Sequence, residues 1–144
     1  MKIQCITDCP DLLPTLVEWE RTEWGNEWAT VVEQATSRDT VPTIFVALDG
    51  NKPMGCAMLI EHDMMSRRDL SPWLGGIFVH PAYRKCGVAS ALVQHAMDKA
   101  RQTGISTWWL YTASSRQLYE RFNWKYVDEV QYEGESVTLM RYDF

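Results

Sequence analysis

The residues best placed for chemistry lie in Val79–Gly104, VHPAYRKCGVASALVQHAMDKARQTG. The segment reads as a strand end, a short basic turn with one glycine, and a helix. From His80 to Met97 it contains no Asp or Glu. Arg84 and Lys85 stand just before the positive end of the helix dipole, where a cation is unfavourable. No Asp, Asn, Ser or Thr occupies the position that would cap the first four N–H groups. A bound anion resolves both faults. Free N–H groups, a positive dipole, two cations and a glycine that permits close approach describe a phosphate cradle. The plainer alternative is a helix that starts without an acid, beside two solvated cations. The dinucleotide fingerprint G-x-G-x-x-G is absent, since only Gly87 of its glycines is present. Gly-Lys-Ser/Thr is absent too, so this is not a P-loop.

Other reactive residues are scattered. Cysteines stand at 5, 9, 56 and 86, and histidines at 62, 80 and 95. None has the spacing of a zinc site. The initial MKIQCITDCPD has no apolar h-region, so a secretory signal is not expected, the thiols are read as reduced, and the location as cytoplasmic.

The elements that must carry the cradle follow from periodicity. Strands are expected at residues 2–7, 41–48, 53–61, 73–79, 106–112, 125–131 and 136–142. Helices are expected at 11–24, 27–37, 87–103 and 114–122. Asp49-Gly50-Asn51-Lys52 is a hairpin turn between two apolar runs, and Glu133-Gly134 is another. In the third helix Ala89, Val93, Ala96, Met97 and Ala100 form an apolar stripe with Leu92 beside it. Gly104 closes that helix at a left-handed position. The order predicts an α/β (α+β) fold: one mixed sheet of about seven strands with helices on both faces.

The 144 residues fit a single domain, 1–144. Hydrophobic residues make up 46%, with seven Trp, six Tyr and four Phe, ample for a packed core. The longest apolar run, Met54 to Ile60, is far short of the roughly 20 residues of a membrane span. A net charge of −5 argues against general nucleic-acid binding.

Tyr83-Arg84-Lys85-Cys86-Gly87-Val88-Ala89-Ser90-Ala91-Leu92 resembles the R/Q-x-x-G-x-G/A signature of the GCN5-related N-acetyltransferases. Arg84, Gly87 and Ala89 hold its three positions. Ile77-Phe78-Val79-His80-Pro81 is similar to the family's fourth strand and its V-x-P ending. Leu118-Tyr119-Glu120-Arg121-Phe122-Asn123-Trp124 is similar to its L-Y-E-K-x-G-F element, with Asn123 as a second-best left-handed residue. The resemblance implies acetyl-CoA as donor, no metal, and a primary amine of a small molecule or peptide as acceptor. It implies a pyrophosphate on the backbone of Lys85, Cys86, Gly87, Val88, Ala89 and Ser90. It implies pantetheine along Ile77, Phe78 and Val79, where the fourth and fifth strands splay apart. The family's pantetheine-binding Asn is replaced by Thr112. Ser114, Ser115 or Arg116 are candidates to compensate, and Arg116 also to meet the 3′-phosphate.

Acetyl transfer requires a deprotonated amine, a polarised carbonyl and a proton for the departing thiolate. Tyr119 is the candidate acid: its ordinary pKa of about 10 exceeds a thiol's of about 8.5. Otherwise it is a core aromatic beside Leu118 and Phe122. A backbone N–H near Val79 is the candidate for the carbonyl. Many relatives carry a glutamate base on the fourth strand, but Trp73-Leu74-Gly75-Gly76-Ile77 has no acid. Glu61, His62, Glu20, Glu23, Glu27 and a relayed water all remain open as the base.

From Asp8 to Glu33 there are seven acids and one base, Arg21. In the family this region walls the acceptor site. Trp24 and Trp28, with Glu20, Glu23 and Glu27 near them, suit a cationic amine such as a polyamine, an aminoglycoside or a lysine if the helix is continuous; a solvated acidic face with two core tryptophans is the alternative. The loop His62-Asp63-Met64-Met65-Ser66-Arg67-Arg68 offers a competing seat for an acidic peptide or a second subunit. Trp73 and Trp108-Trp109 read as core or dimer surface. The runner-up function is a CoA-sensing or partner-binding protein that keeps the cradle without efficient catalysis.

Overall fold

The computed structural model describes residues 1–144. Seven strands form one sheet: β1 (Lys2–Cys5), β2 (Thr43–Asp49), β3 (Lys52–Ile60), β4 (Trp73–Val79), β5 (Thr107–Thr112), β6 (Lys125–Tyr132) and β7 (Glu135–Asp143). Their order is β1-β2-β3-β4-β5-β7-β6. All neighbours are antiparallel except β4 and β5. The helices are α1 (Leu13–Trp24), α2 (Asn26–Gln34), α3 (Val88–Gln102) and α4 (Arg116–Glu120).

Strand alternation puts α1 and α3 on opposite faces. Phe45 meets His95 of α3 with ring centroids 4.9 Å apart. Ala57 lies opposite Phe45 in the register. Met58, the next residue, therefore points the other way, and there its sulfur shares the space over Gly76 with Glu20 of α1. Trp73, Trp108 and Trp124 are buried, as is Phe45. Trp73 and Trp108 thus belong to the core, and half-buried Trp109 is covered by the Arg141 guanidinium, 5.3 Å from its ring centroid.

Several ends differ from the sequence pattern for local reasons. Ile6–Asp8 turn in a 3-10 helix, so β1 stops at Cys5. Helix α2 stops at Gln34, and Ser37 N–H donates to Pro42 O at 3.0 Å. Gly25, at φ +99°, breaks the expected single helical face, so Trp24 and Trp28 sit on separate helices. The rings still meet, 6.5 Å apart. Helix α4 is shorter than expected because the Thr112 hydroxyl accepts from Ser115 N–H at 2.9 Å before it begins. Asn123, at φ +68°, ends that turn as expected, with Trp124 N–H donating to Tyr119 O at 3.2 Å. The buried face of α3 runs through Val88, Leu92, Val93, Ala96, Met97 and Ala100, whereas Ala89 is only half-buried. No helix is long and apolar enough to cross a membrane, and no group of His, Cys, Asp or Glu is assembled to hold a metal.

Two features of β4 position the site. First, it pairs with β5 only at Trp73 and Trp109, so the two strands diverge beyond that point. Second, Gly76 and Ile77 stand against Ala57 alone, between the pairs Cys56–Phe78 and Met58–Gly75. This bulge leaves Gly76 at φ +56°. A Cβ on Gly76 would collide with the Glu20 carboxylate, and a Cβ on Gly75 would lie 2.6 Å from Asp63 Oδ2. The strand has no acid of its own, but its two glycines make room for two acids from elsewhere.

Glu20 is fully buried, and neither carboxyl oxygen has a hydrogen-bond partner. Desolvation raises its pKa well above the ordinary 4.5; the neighbouring Trp28 indole pulls the other way but does not offset this. Above pH 4.5 the folded protein holds a proton that the unfolded chain has lost, so stability falls as pH rises toward the folded value. Asp63 adds the same trend between 3.8 and about 7. Glu20→Gln is expected to melt with wild type near pH 4 and above it at pH 8. Parallel melting temperatures across that range would show that Glu20 is charged in the fold.

Candidate active site

Beyond Val79 the chain makes a tight basic turn. His80 Nδ1 accepts from Ala82 N–H at 3.1 Å, and Arg84 Nε donates to Val79 O at 3.1 Å. Lys85 and Gly87 both have positive φ, +63° and +79°. Left-handed residues in such a turn point consecutive N–H groups toward one concavity. Gly87 is the N-cap of α3 and provides no side-chain cap. Nothing lies within 4 Å of where its Cβ would be. The helix start therefore opens onto free space with its first N–H groups available, as its lack of acids led us to expect.

That space is a groove of about 1000 Å³. Ile77, Phe78, Val79, Arg84, Lys85, Gly87, Val88, Ala89 and Ser90 line one side, with Thr112, Ser114, Ser115, Leu118 and Tyr119 across from them. Cys86 is the exception in its run: it is not part of the lining, and its thiol turns back to Arg84 O at 3.4 Å. Arg116 is not in the groove. It pairs with Glu120 at 3.3 Å and lies over Tyr126, 4.5 Å from the ring centroid. Arg121, which sequence reasoning passed over, lines the groove instead. Its one signal is spacing: it follows Leu118 by three residues and so shares its face.

Tyr119 is buried with its ring edge-on to Trp124, 6.3 Å away. Burial raises its phenol above the ordinary value, and the charge of Asp63 adds to this. The phenol therefore keeps its proton at neutral pH.

A second cavity, about 300 Å³, lies beside the groove. It is lined by Trp24, Glu27, Trp28, Val31, His62, Asp63, Met65, Gly76, Tyr111, Tyr132 and Glu133. Trp24 and Tyr111 line both spaces, so the two join there. Of the expected acceptor residues, Trp24, Glu27, Trp28 and His62 meet in this cavity. Glu23 lies in the groove instead, and Glu61 is exposed and lines neither. In the loop expected to seat an acidic peptide, Arg67 is paired with Asp69 at 3.0 Å, while exposed Arg68 has no acidic partner and touches the Met65 sulfur at 3.5 Å. The acidic run divides too. Asp8 pairs with Arg38 and Glu18 with Arg21, while Glu23 and Glu27 face the cavities.

Asp63 is the residue that periodicity and motif matching missed. Half-buried, it lines the smaller cavity and has no hydrogen-bonding partner. Desolvation, reinforced by Glu133, pushes its pKa up to about 7. In sequence it is one polar residue in a polar loop. The only hint was the gap it fills, Gly75-Gly76 where an acid was expected.

The chain belongs to the acetyltransferase (GNAT) family, whose model matches residues 12–124. The family transfers acetyl groups from acetyl-CoA to amine acceptors, and this chain is accordingly an acetyltransferase. Solved structures share its fold. An aminoglycoside 6′-acetyltransferase type Ii superposes with TM-score 0.77 at 19% identity, covering 99% of this chain and 97% of that one. An aminoglycoside 6′-N-acetyltransferase complexed with coenzyme A gives 0.76 at 17%, with the same coverage. Ribosomal-protein-alanine N-acetyltransferase from Brucella melitensis gives 0.74 at 15%, covering both chains completely. No curated protein matches significantly.

Proposed function

We propose that this chain moves the acetyl group of acetyl-CoA to a primary amine of a small molecule or peptide, with the CoA in the groove and the amine in the smaller cavity. The observation that carries this reading is the junction at Trp24 and Tyr111, with Asp63 on the amine side and Tyr119 on the CoA side. Acetyl-CoA supplies an activated thioester. The residues fit it: an uncapped helix start, two left-handed turn residues and the cations Arg84, Lys85 and Arg121 suit a pyrophosphate. The backbone of Ile77–Val79, freed by the splay of β5, offers edge N–H and C=O groups to an extended amide chain. Thr112 contributes through the loop it holds, since its hydroxyl is engaged by Ser115 N–H.

Asp63 takes the proton from the incoming ammonium, and Tyr119 gives one to the departing sulfur. The environments push the two groups into complementary states near neutrality: a carboxylate that titrates at about 7 and a phenol that stays protonated. The base must be deprotonated to work, so kcat/KM is expected to rise with pH through about 7. Asp63→Asn is expected to lose roughly 10²–10⁴-fold in kcat and to lose that limb of the profile. An unchanged pH profile in a folded Asp63→Asn protein would return the role to water.

Arg84 has two tasks, bracing the Val79 carbonyl and facing the groove. Arg84→Ala is expected to weaken acetyl-CoA binding by about 1–3 kcal/mol, the range for hydrogen bonds to charged groups. Pantetheine, which lacks the pyrophosphate, should lose much less. Equal losses, measured by calorimetry, would leave Arg84 only its bracing task.

A further inference from the structure

The smaller cavity is specific about chemistry. Three carboxylates line it, Asp63, Glu27 and Glu133, and no Lys or Arg opposes them. They lie at two depths. Asp63 is half-buried in the lining with no hydrogen-bond partner, while Glu27 and Glu133 are exposed at its rim. The rim pair comes from different elements, the start of α2 and the β6–β7 turn, where Glu133 has φ +51°. Between the two depths the walls are aromatic or apolar: Trp24, Trp28, Tyr111, Tyr132, Val31 and Met65. No Ser, Thr, Asn or Gln lines the cavity; its neutral polar groups are the Tyr111 and Tyr132 hydroxyls, the Trp28 indole and His62.

Resting on the acetyl-transfer reading above, we propose that the acceptor is a linear aliphatic diamine. One nitrogen sits at Asp63, an apolar chain crosses the aromatic walls, and the distal ammonium meets Glu27 and Glu133. Aromatic faces stabilise both an alkyl chain and a cation. An amino sugar would set most of its hydroxyls against the apolar walls, and a lysine side chain places a neutral backbone, not a cation, at the rim.

The test compares putrescine with butylamine, which has the same carbon chain and one charge. Kanamycin and a neutral lysine-containing peptide complete the set. Putrescine is expected to exceed butylamine in kcat/KM by about fivefold or more, through KM, as two rim carboxylates allow. Glu27→Gln with Glu133→Gln should bring that ratio toward one. Equal use of putrescine and butylamine, a ratio that survives the double variant, or preference for kanamycin or the peptide would overturn the assignment. Quenching of Trp24 and Trp28 fluorescence by each amine in the CoA-bound protein reads the same ratio from binding alone. If the diamine binds preferentially but no amine is acetylated, the transfer reading fails and the ligand assignment stands. If acetylation proceeds without diamine preference, the ligand assignment fails alone.

Discussion

Tyr119→Phe is expected to lower kcat roughly 10²–10⁴-fold, the usual span for loss of a general acid. The Michaelis constant for acetyl-CoA should barely move, because the lost interaction matters chiefly in the transition state. The substitution keeps the ring against Trp124 and removes only the proton. The Tyr119 hydroxyl has no hydrogen-bonding partner in the protein, so its removal leaves no buried group unsatisfied, and the melting temperature should be nearly unchanged. A purely structural tyrosine would leave both stability and turnover near normal. Wild-type kcat in a folded Tyr119→Phe protein, measured by thiol release, would take the proton source away from this residue.

Gly87→Glu should abolish CoA binding while leaving the fold intact. No atom lies within 4 Å of the missing Cβ, so the side chain enters the groove rather than the core. Its carboxylate would occupy the anion position at the helix N-terminus, where it is favoured, and act as a tethered competitor. The positive φ adds a local strain of about 1–3 kcal/mol, small enough for the seven-stranded sheet to bear. Circular dichroism checks the fold and calorimetry the binding. Undiminished CoA affinity in the folded variant would move the cofactor away from the α3 start.

The open, uncapped start of α3 was legible in the sequence because its signal is local. Lys85, Gly87 and the acid-free start of α3 are contiguous, and the physics that marks them acts over one helical turn. The hairpin at Gly50-Asn51 and the left-handed Asn123 were legible for the same reason. The smaller cavity is different. Its residues come from α1, α2, the loop after β3, the bulge of β4, β5 and the β6–β7 turn, and no pattern within any one of them shows that they meet. Glu61 and Asp63 are near neighbours in the sequence, yet only Asp63 turns inward, because Gly75 leaves space for its carboxylate. Glu20, one of the candidate bases, is sealed behind Gly76. Arg116 and Arg121 were indistinguishable by charge; an ion pair with Glu120 draws one away from the groove.

The most direct measurement follows the acetyl group itself. Wild-type protein is supplied with isotopically labelled acetyl-CoA and putrescine, and the products are read by mass spectrometry beside a Tyr119→Phe control. The expected result is label on the amine nitrogen, equal in amount to the free CoA formed and saturable in both substrates, with far slower accumulation in the control. CoA that binds in the groove while no amine across a broad panel acquires the label would contradict acetyl transfer and leave a CoA-sensing protein in its place.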